Sequence, residues 1–449
     1  MQTTRILDAQ QTAAVEACIN MDLRLVSVTG EAGTGKTTII KEVCDKLTAR
    51  AVEFALCAPT GKAARRITEA TGYPAITIHK LLEFNRPDMD METGEALTAT
   101  KPARTRDNPL DYKVVLCDEY AMVSTGLHRD LIEALGTGNI RMFGDIRQLP
   151  PIENGDLADP TSPFERCLAK SNSFFLEQVY RQEEGNGIIE AARAINRGHM
   201  FAQNPDVKII VNVSMVAKLY DEVRVNPETW RSIEHQIISP ARKSDVGTVK
   251  LNGVLQSMLN PAMRDAISLP RQRWDKTRIS VALDDKVVCT VNTYDLRGFN
   301  ERFETWVDDI TPVWDSFIPC PANKQMLNGE VGRIVAIGLD GTLEIDFGDR
   351  LVEVPPEITE YSRRQNMLFA ADHRKNLELA YALTTHKCQG SEYKSVAYVM
   401  APAAFFNLSR QNFYTGITRA RNNVLIFCDQ RSLSASLSNV SKRKFPKKA

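Results

Sequence analysis

Residues Leu25 to Ile40 read LVSVTGEAGTGKTTII, an apolar run of strand character that feeds a glycine-rich loop and then an apolar helix start. Gly30, Gly35, Lys36 and Thr37 satisfy the spacing G-x-x-x-x-G-K-[ST]. Glycines in such a loop let backbone N–H groups approach phosphate oxygens that a Cβ would keep away. Lys36 is then placed to bridge the β- and γ-phosphates, and Thr37 to ligate Mg²⁺. A surface turn with an exposed lysine would account for the composition but not for the strand-loop-helix context. The stretch implies a nucleoside triphosphate site where a strand meets a helix.

Such a loop needs a second strand ending in an acid, and Lys113 to Glu119, KVVLCDE, supplies it. Asp118 would hold Mg²⁺ directly or through water, and Glu119 would orient and deprotonate an attacking water. Taken singly, either acid could equally be a helix cap. A further strand-like run, Ile140 to Phe143, ends in GDIRQLPP, where Gln148 offers a neutral amide to a terminal phosphate or to the water. A capped turn before a Pro-Pro breaker is the plainer reading of that segment.

The whole chain has 449 residues, 43% of them hydrophobic and 25% charged, which suits a soluble protein of about two to four domains. No apolar run approaches the roughly 18 residues of a membrane span, and the start MQTTRILDAQQ lacks the blocks of a secretory signal. A cytoplasmic location is therefore expected. The nine cysteines are scattered without a C-x-x-C pair and read as reduced core thiols. With 56 basic against 56 acidic side chains, any nucleic-acid face must be local.

The ordered series Leu7/Gln11/Ala14/Val15, GEAGTGKTT, APTGKAARRI (58–67), TIHKLL (77–82), DEYAM, GDIRQLPPI, VYRQ (179–182), TTHKCQGSE (384–392) and YTGITRARN (414–422) resembles the superfamily 1 helicases. SPARKSDVGTVKLNGVLQSMLNP (239–261) and NGEVGRI (328–334) are similar to segments of its RecD-like and Dda-like branch, superfamily 1B, an arrangement that UvrD-like members lack. The resemblance implies an α/β fold of two RecA-like P-loop NTPase lobes, with a β-hairpin pin inserted in the first and an SH3-like β-barrel in the second. It implies a first lobe of 1–82 and 112–184, a pin of 83–111, a second lobe of 185–293 and 377–449, and an SH3-like insert of 294–376. The activity implied is ATP- and Mg²⁺-dependent 5′-3′ translocation on single-stranded DNA with duplex unwinding. Polarity comes from the resemblance alone.

Carried onto this chain, the resemblance assigns Gln11 to the adenine edge and Gly33, Thr34, Gly35, Lys36, Thr37 and Thr38 to the phosphates and Mg²⁺. It places Gln389 and Gly390 near the nucleotide and makes Arg181 and Arg419 arginine fingers. Pro59, Thr60, Lys62, His79 and Lys80 of the first lobe, with Thr385, His386 and Lys387 of the second, would grip DNA phosphates without reading bases. For His79 and His386 a core or capping role stands beside that one, as a surface ion pair does for Arg419.

In the pin, EFNRPDMDMETGEALTATKPARTRDNPLD, Glu92-Thr93-Gly94-Glu95 is a hairpin turn or part of a polar loop, with Phe84 and Met89 as its apolar wedges. In the second insert, GEVGRIVAIGLDGTLEIDFGDRLVEV alternates apolar and polar residues and breaks at Leu339-Asp340-Gly341 and Gly348-Asp349, which predicts a small antiparallel barrel. Ahead of it, Phe299, Phe303, Trp306, Trp314 and Phe317 are core, or a surface that stacks bases or meets a partner. The tail SKRKFPKKA is a fraying end or an added phosphate contact. Expected partners are single-stranded DNA and the DNA fork, and phage or bacterial replication or recombination proteins, with the chain a monomer. Rival readings are a translocase that unwinds little, an RNA helicase and a clamp without turnover. Tyr120 and Ala121 in DEYAM stand where related proteins often have small or hydroxylated residues, and the sequence offers no reason for them.

Overall fold

The computed structural model describes residues 7–84, 101–151, 162–170, 172–178, 180, 187–270, 279–293, 295–297, 306–307, 311–312, 321–362 and 367–440. Arg181, the 92–95 turn with Met89, the aromatics Phe299, Phe303, Trp314 and Phe317, and the tail 441–449 lie outside them.

The first lobe is a parallel sheet of β1 (Leu25–Gly30), β2 (Phe54–Ala58), β3 (Ala75–Thr77), β4 (Val114–Cys117), β5 (Asn139–Gly144) and β6 (Asn172–Leu176). Its strand order is β3-β2-β4-β5-β1-β6. The central strands β1, β2, β4 and β5 are mostly apolar because both faces are covered, whereas the edge strand β6 is partly exposed. Helices α1 (Ala9–Ile19), α2 (Lys36–Ala49) and α3 (Gly61–Thr71) bury Val15, Ile39, Val43 and Ile67 against Val26, Val28, Leu116 and Phe143. The opposite face packs Cys57, Val115, Ile140 and Met142 on Ile78, Tyr120, Leu131 and Phe164. Because β5 separates β1 from β4, the loops after β1 and β4 leave the sheet on either side of a crevice at its carboxyl edge.

A buried cation ties α1 to this sheet. The Arg141 guanidinium, fully buried on β5, donates to the carbonyls of Cys18 (2.6 Å), Asn20 (2.8 Å) and Leu23 (2.7 Å). It thereby satisfies carbonyls at and beyond the helix C-terminus, where a positive charge is also favoured by the helix dipole.

The second lobe repeats the plan. Its parallel sheet runs, edge to edge, Ala382–Thr384, His235–Ser239, Tyr393–Val399, Ala420–Cys428 and Val207–Val211. The helices Gly187–Arg197, Met215–Val225, Thr248–Leu259, Arg410–Ile417 and Gln430–Ser438 supply Ile195, Leu219, Leu255, Phe413 and Leu433 to its core.

A third sheet is wholly antiparallel, in the order Leu351–Val354, Leu343–Asp346, Val331–Ile337, Lys286–Cys289, Leu377–Leu379. The turns Gly338–Thr342 and Phe347–Arg350 fall at the predicted breaks. Val352, Val354, Leu343 and Ile345 alternate inward, as one-sided burial requires. This sheet also uses a strand from each side of the 294–376 span, Lys286–Cys289 and Leu377–Leu379, whose shortness hides them among second-lobe elements in the sequence. Fully buried Asp285 fastens it to the lobe by accepting from Gln256 Nε2 (2.6 Å), Asn260 Nδ2 (2.7 Å), Ala282 N (2.8 Å) and the Tyr381 hydroxyl (2.8 Å). Four donors offset the cost of burying the carboxylate.

The cysteines among the described residues are free, and all but the half-buried Cys167 are buried.

Candidate functional site

A cleft of about 450 Å³ opens where the carboxyl edge of the first sheet meets the second lobe. Its first wall is the loop after β1. Gly33 and Gly35 have φ of +87° and +85°, a region that side chains rarely occupy, and a Cβ at Gly35 would also collide with the Gln11 amide. Lys36, the first residue of α2, donates from Nζ to Gly30 O (2.8 Å) and Glu31 O (2.9 Å). Thr37 and Thr38 line the cleft, and Thr34 is buried behind it.

Gln11 lies under this loop. It completes the α1 capping box with Asp8, Oε1 accepting from Asp8 N at 3.2 Å, while Nε2 donates to Thr34 O at 3.0 Å. Its amide thus joins the helix start to the glycine-rich loop. Tyr180, next to Arg181, also meets the loop, its backbone N donating to Gly33 O at 2.8 Å and its hydroxyl to Asp8.

The acids follow β4 directly. Asp118 is 8% exposed, and burial together with the neighbouring Glu119 raises its carboxyl pKa to about 6, against a lowering pull from Lys36. Glu119 has φ of +51°, a conformation that costs a non-glycine residue roughly 1–2 kcal/mol and turns its side chain out of the strand direction. Its Oε2 is buried with no hydrogen-bond partner, as is Gln148 Oε1. Two orphaned acceptors on one cleft wall are costly unless something that donates to them enters.

The second lobe closes the cleft with Gly390, Glu392, Arg419 and Arg421. Arg419, 3% exposed, follows the helix Arg410–Ile417 and is aimed by Thr415 O (3.0 Å), Ser391 O (3.3 Å) and Thr418 Oγ1 (3.2 Å). Three bonds cross between the lobes at the Gln148 loop. The Tyr414 hydroxyl donates to Asp145 Oδ2 (2.6 Å), Leu149 N donates to Thr415 Oγ1 (2.9 Å), and Gln389 Nε2 donates to Leu149 O (3.0 Å). Burial and the Asp145 charge push the Tyr414 phenol well up, so it remains a donor.

Residues 6–207 match the AAA domain family, and residues 379–427 match the UvrD-like helicase C-terminal domain. The ATP-dependent RecD2 DNA helicase of Deinococcus radiodurans is 30% identical over 406 residues, covering 89% of this chain and 46% of that protein. In sequence the chain is similar to helicases of superfamily 1B over most of its length. The RecBCD enzyme subunit RecD of Mycobacterium tuberculosis is 25% identical over 463 residues, 96% of this chain and 70% of that subunit. Mouse DNA helicase B is 24% identical over 520 residues, and the chain spans about half the length of it and of the Deinococcus protein. In fold, the chain is similar to a Bacteroides Pif1 helicase solved with ADP-AlF3 and single-stranded DNA, with a TM-score of 0.57, 17% identity, and 96% and 94% of the two chains covered. The Candida albicans Pif1 helicase gives a TM-score of 0.55 at 16% identity over 96% and 97%.

The residues that the resemblance assigns to DNA occupy varied surroundings. Thr60 caps α3, accepting from Ala63 N at 3.2 Å, and Lys62 Nζ lies 5.6 Å from the Tyr393 ring centre across the lobe boundary. Burial lowers the Lys62 pKa. His79 and Lys80 are exposed, with the His79 ring tilted on Phe84 at 5.0 Å. In the second lobe Thr385 is fully buried, His386 is half-buried, and Lys387 pairs with Glu378. Pro59 sits half-buried at the end of β2.

Four contributors carried no role in the sequence reading: Arg66, Glu392, Arg421 and Tyr414. Arg66 and Glu392 are 326 residues apart and Tyr414 and Asp145 are 269 apart, so no local pattern couples them. Tyr120 now has an account as well. It is fully buried, its ring tilted on Phe164 and its hydroxyl 2.8 Å from His128 Nδ1, filling the space under the Asp118-Glu119 turn.

Proposed function

We propose that this chain is an ATP-dependent DNA helicase that moves 5′ to 3′ along single-stranded DNA and opens duplex ahead of it. The observation that carries this reading is the convergence of Lys36, Asp118, Glu119 and Gln148 from one lobe and Arg419 from the other on a single cleft. Similarity to superfamily 1B helicases and the helicase names of the relatives support the polarity and the substrate.

The site suits a nucleoside triphosphate with Mg²⁺. Its loop is held open by two left-handed glycines, and the orphaned Glu119 Oε2 and Gln148 Oε1 suit a water donating to both. Thr37 and Asp118 would hold Mg²⁺, an oxygen-ligand cation that takes much of its shell from phosphates and water and neutralises phosphate charge. Lys36 holds the β/γ-phosphate bridge, and Glu119 takes the proton of the water it orients. Gln148 positions that water, and Arg419 neutralises charge on the transferred group. Arg181 is proposed as a second finger.

Because Asp145 and Leu149 flank Gln148 and bond to the second lobe, a change at the γ-phosphate alters lobe contacts directly. Alternating grip through Thr60, Lys62, His79, Lys80 and Lys387 then becomes steps along the strand. The 83–111 segment acts as the pin and the antiparallel sheet as an SH3-like wall; the chain acts as a monomer at the DNA fork.

The test is ATP hydrolysis with and without single-stranded DNA or RNA. Stimulation by DNA well beyond that by RNA is expected, and equal stimulation would shift the substrate to RNA.

A further inference from the structure

The cleft holds one arrangement that the motor reading leaves unused. Glu392 projects from the second lobe two residues beyond Gly390, is 9% exposed in its side chain, and carries two arginines. Arg66, from the middle of α3 in the first lobe, pairs with one of its oxygens, and Arg421 Nε donates to the other at 3.0 Å. All three side chains line the nucleotide cleft. The charge of Arg66 is felt at Asp118, whose carboxyl it helps to keep ionised. The preceding residue, Ser391, accepts from Arg419 through its carbonyl at 3.3 Å. A two-residue segment thus holds three arginines drawn from both sides of the cleft.

We propose that Arg66 is a further nucleotide-binding residue, that Glu392 occupies it while the cleft lacks a triphosphate, and that the γ-phosphate takes Arg66 and Arg421 from Glu392. The inference rests on the nucleotide reading of the cleft. A carboxylate carries one negative charge; a triphosphate carries several and offers the same planar bidentate acceptor geometry to a guanidinium. Substitution of one acceptor for the other is therefore favourable and confined to nucleotides that still carry the third phosphate. It has a mechanical consequence. The first turn of α3 holds Thr60 as its cap and Lys62 against Tyr393, so a pull on Arg66 is delivered along one rigid helix to the residues proposed to grip DNA.

Equilibrium binding of a fluorescent ADP and of a fluorescent non-hydrolysable ATP analogue, without DNA, tests this in wild type, Arg66→Ala, Arg66→Lys and Glu392→Gln. Arg66→Ala should raise the Kd of the triphosphate analogue about tenfold, the scale of one lost charge-assisted hydrogen bond, and change that of ADP less than about twofold. Arg66→Lys should recover part of the loss. Glu392→Gln should tighten the triphosphate analogue by several-fold, because it removes the competitor. The two ends of one ion pair are thus expected to act in opposite directions, whereas a bridge that merely holds the lobes together would weaken binding from both. Weakening by Glu392→Gln, or equal effects of Arg66→Ala on di- and triphosphate, overturns the proposal and leaves the nucleotide reading intact. Wild-type protein that binds neither nucleotide overturns both. Should Arg66→Ala fail to fold, the direction of the Glu392→Gln change decides alone.

Discussion

One cleft lies between the two parallel sheets, which present opposite ends of their strands to it, the first its carboxyl ends and the second the amino ends of Tyr393–Val399 and Ala420–Cys428, and equip it differently. The first brings a phosphate cradle with left-handed Gly33 and Gly35 and the carboxylate pair Asp118-Glu119. The second brings Arg419 and Arg421 and shows no cradle among its described residues; its glycine at the cleft, Gly390, answers a left-handed φ of +70°, since a Cβ there would meet Ala63 and Thr60 only at ordinary contact distances. On the proposed function the same architecture serves as a binding half and a sensing half, and neither is complete alone. On that same reading hydrolysis becomes sensitive to lobe position, as a motor requires.

Removing a part of the binding half should have the largest effect. Lys36→Ala is expected to lower DNA-stimulated hydrolysis by at least about a thousandfold, because a charge partner of the transferred phosphate is lost. Glu119→Gln should stop turnover to a similar degree and retain nucleotide binding, which a binding isotherm beside the ATPase assay separates. Arg419→Ala breaks the sensing half. It should reduce kcat by about a hundredfold or more while nucleotide Kd stays within a few-fold, and a loss confined to Kd would assign Arg419 to ground-state binding instead.

Asp118 allows the comparison to be sharpened by pH. Its folded pKa of about 6 lies above the unfolded value near 3.8, so the folded state binds the proton more tightly. The cost of its charge is fully present above about pH 6 and fades as pH falls toward 3.8. In Mg²⁺-free buffer Asp118→Asn should therefore stabilise the protein at pH 7.5 by on the order of 2 kcal/mol, and by much less at pH 4.5. Thermal melts at the two values check it, and an equal gain at both would contradict the buried-charge account. Hydrolysis should fall in the same window as Asp118 protonates and loses its hold on a cation.

The smallest effect is expected from the wiring between the halves. Tyr414→Phe deletes the hydroxyl donated to Asp145 and leaves the carboxylate one donor short, at a cost of about 1–3 kcal/mol. Hydrolysis without DNA should change little, and stimulation by DNA should drop several-fold. Equal loss in both would make the bond structural only.

What could be read in the sequence follows the same division. The cradle, the acids after β4 and the Gln148 loop are contiguous because phosphate chemistry needs backbone and side chains within one turn of chain, and the structure brings them together as expected. The breaks at 339–341 and 348–349 were equally legible, since a one-sided strand must alternate and a turn must interrupt it. The sensing half was only partly legible. Arg419 lay in a motif, but the Glu392 clasp on Arg66 and the Tyr414 bond to Asp145 arise only when the lobes meet. Arg141 was silent for a related reason: its five bonds are to backbone carbonyls, which carry no sequence signature.

The most direct test of the account is ATP-driven unwinding of two matched partial duplexes, one with a 5′ and one with a 3′ single-stranded tail, with Lys36→Ala as control. The account predicts that the wild-type protein opens only the 5′-tailed duplex and that the variant opens neither. Opening from the 3′ tail would contradict the assigned polarity, and hydrolysis without opening either would contradict the helicase itself.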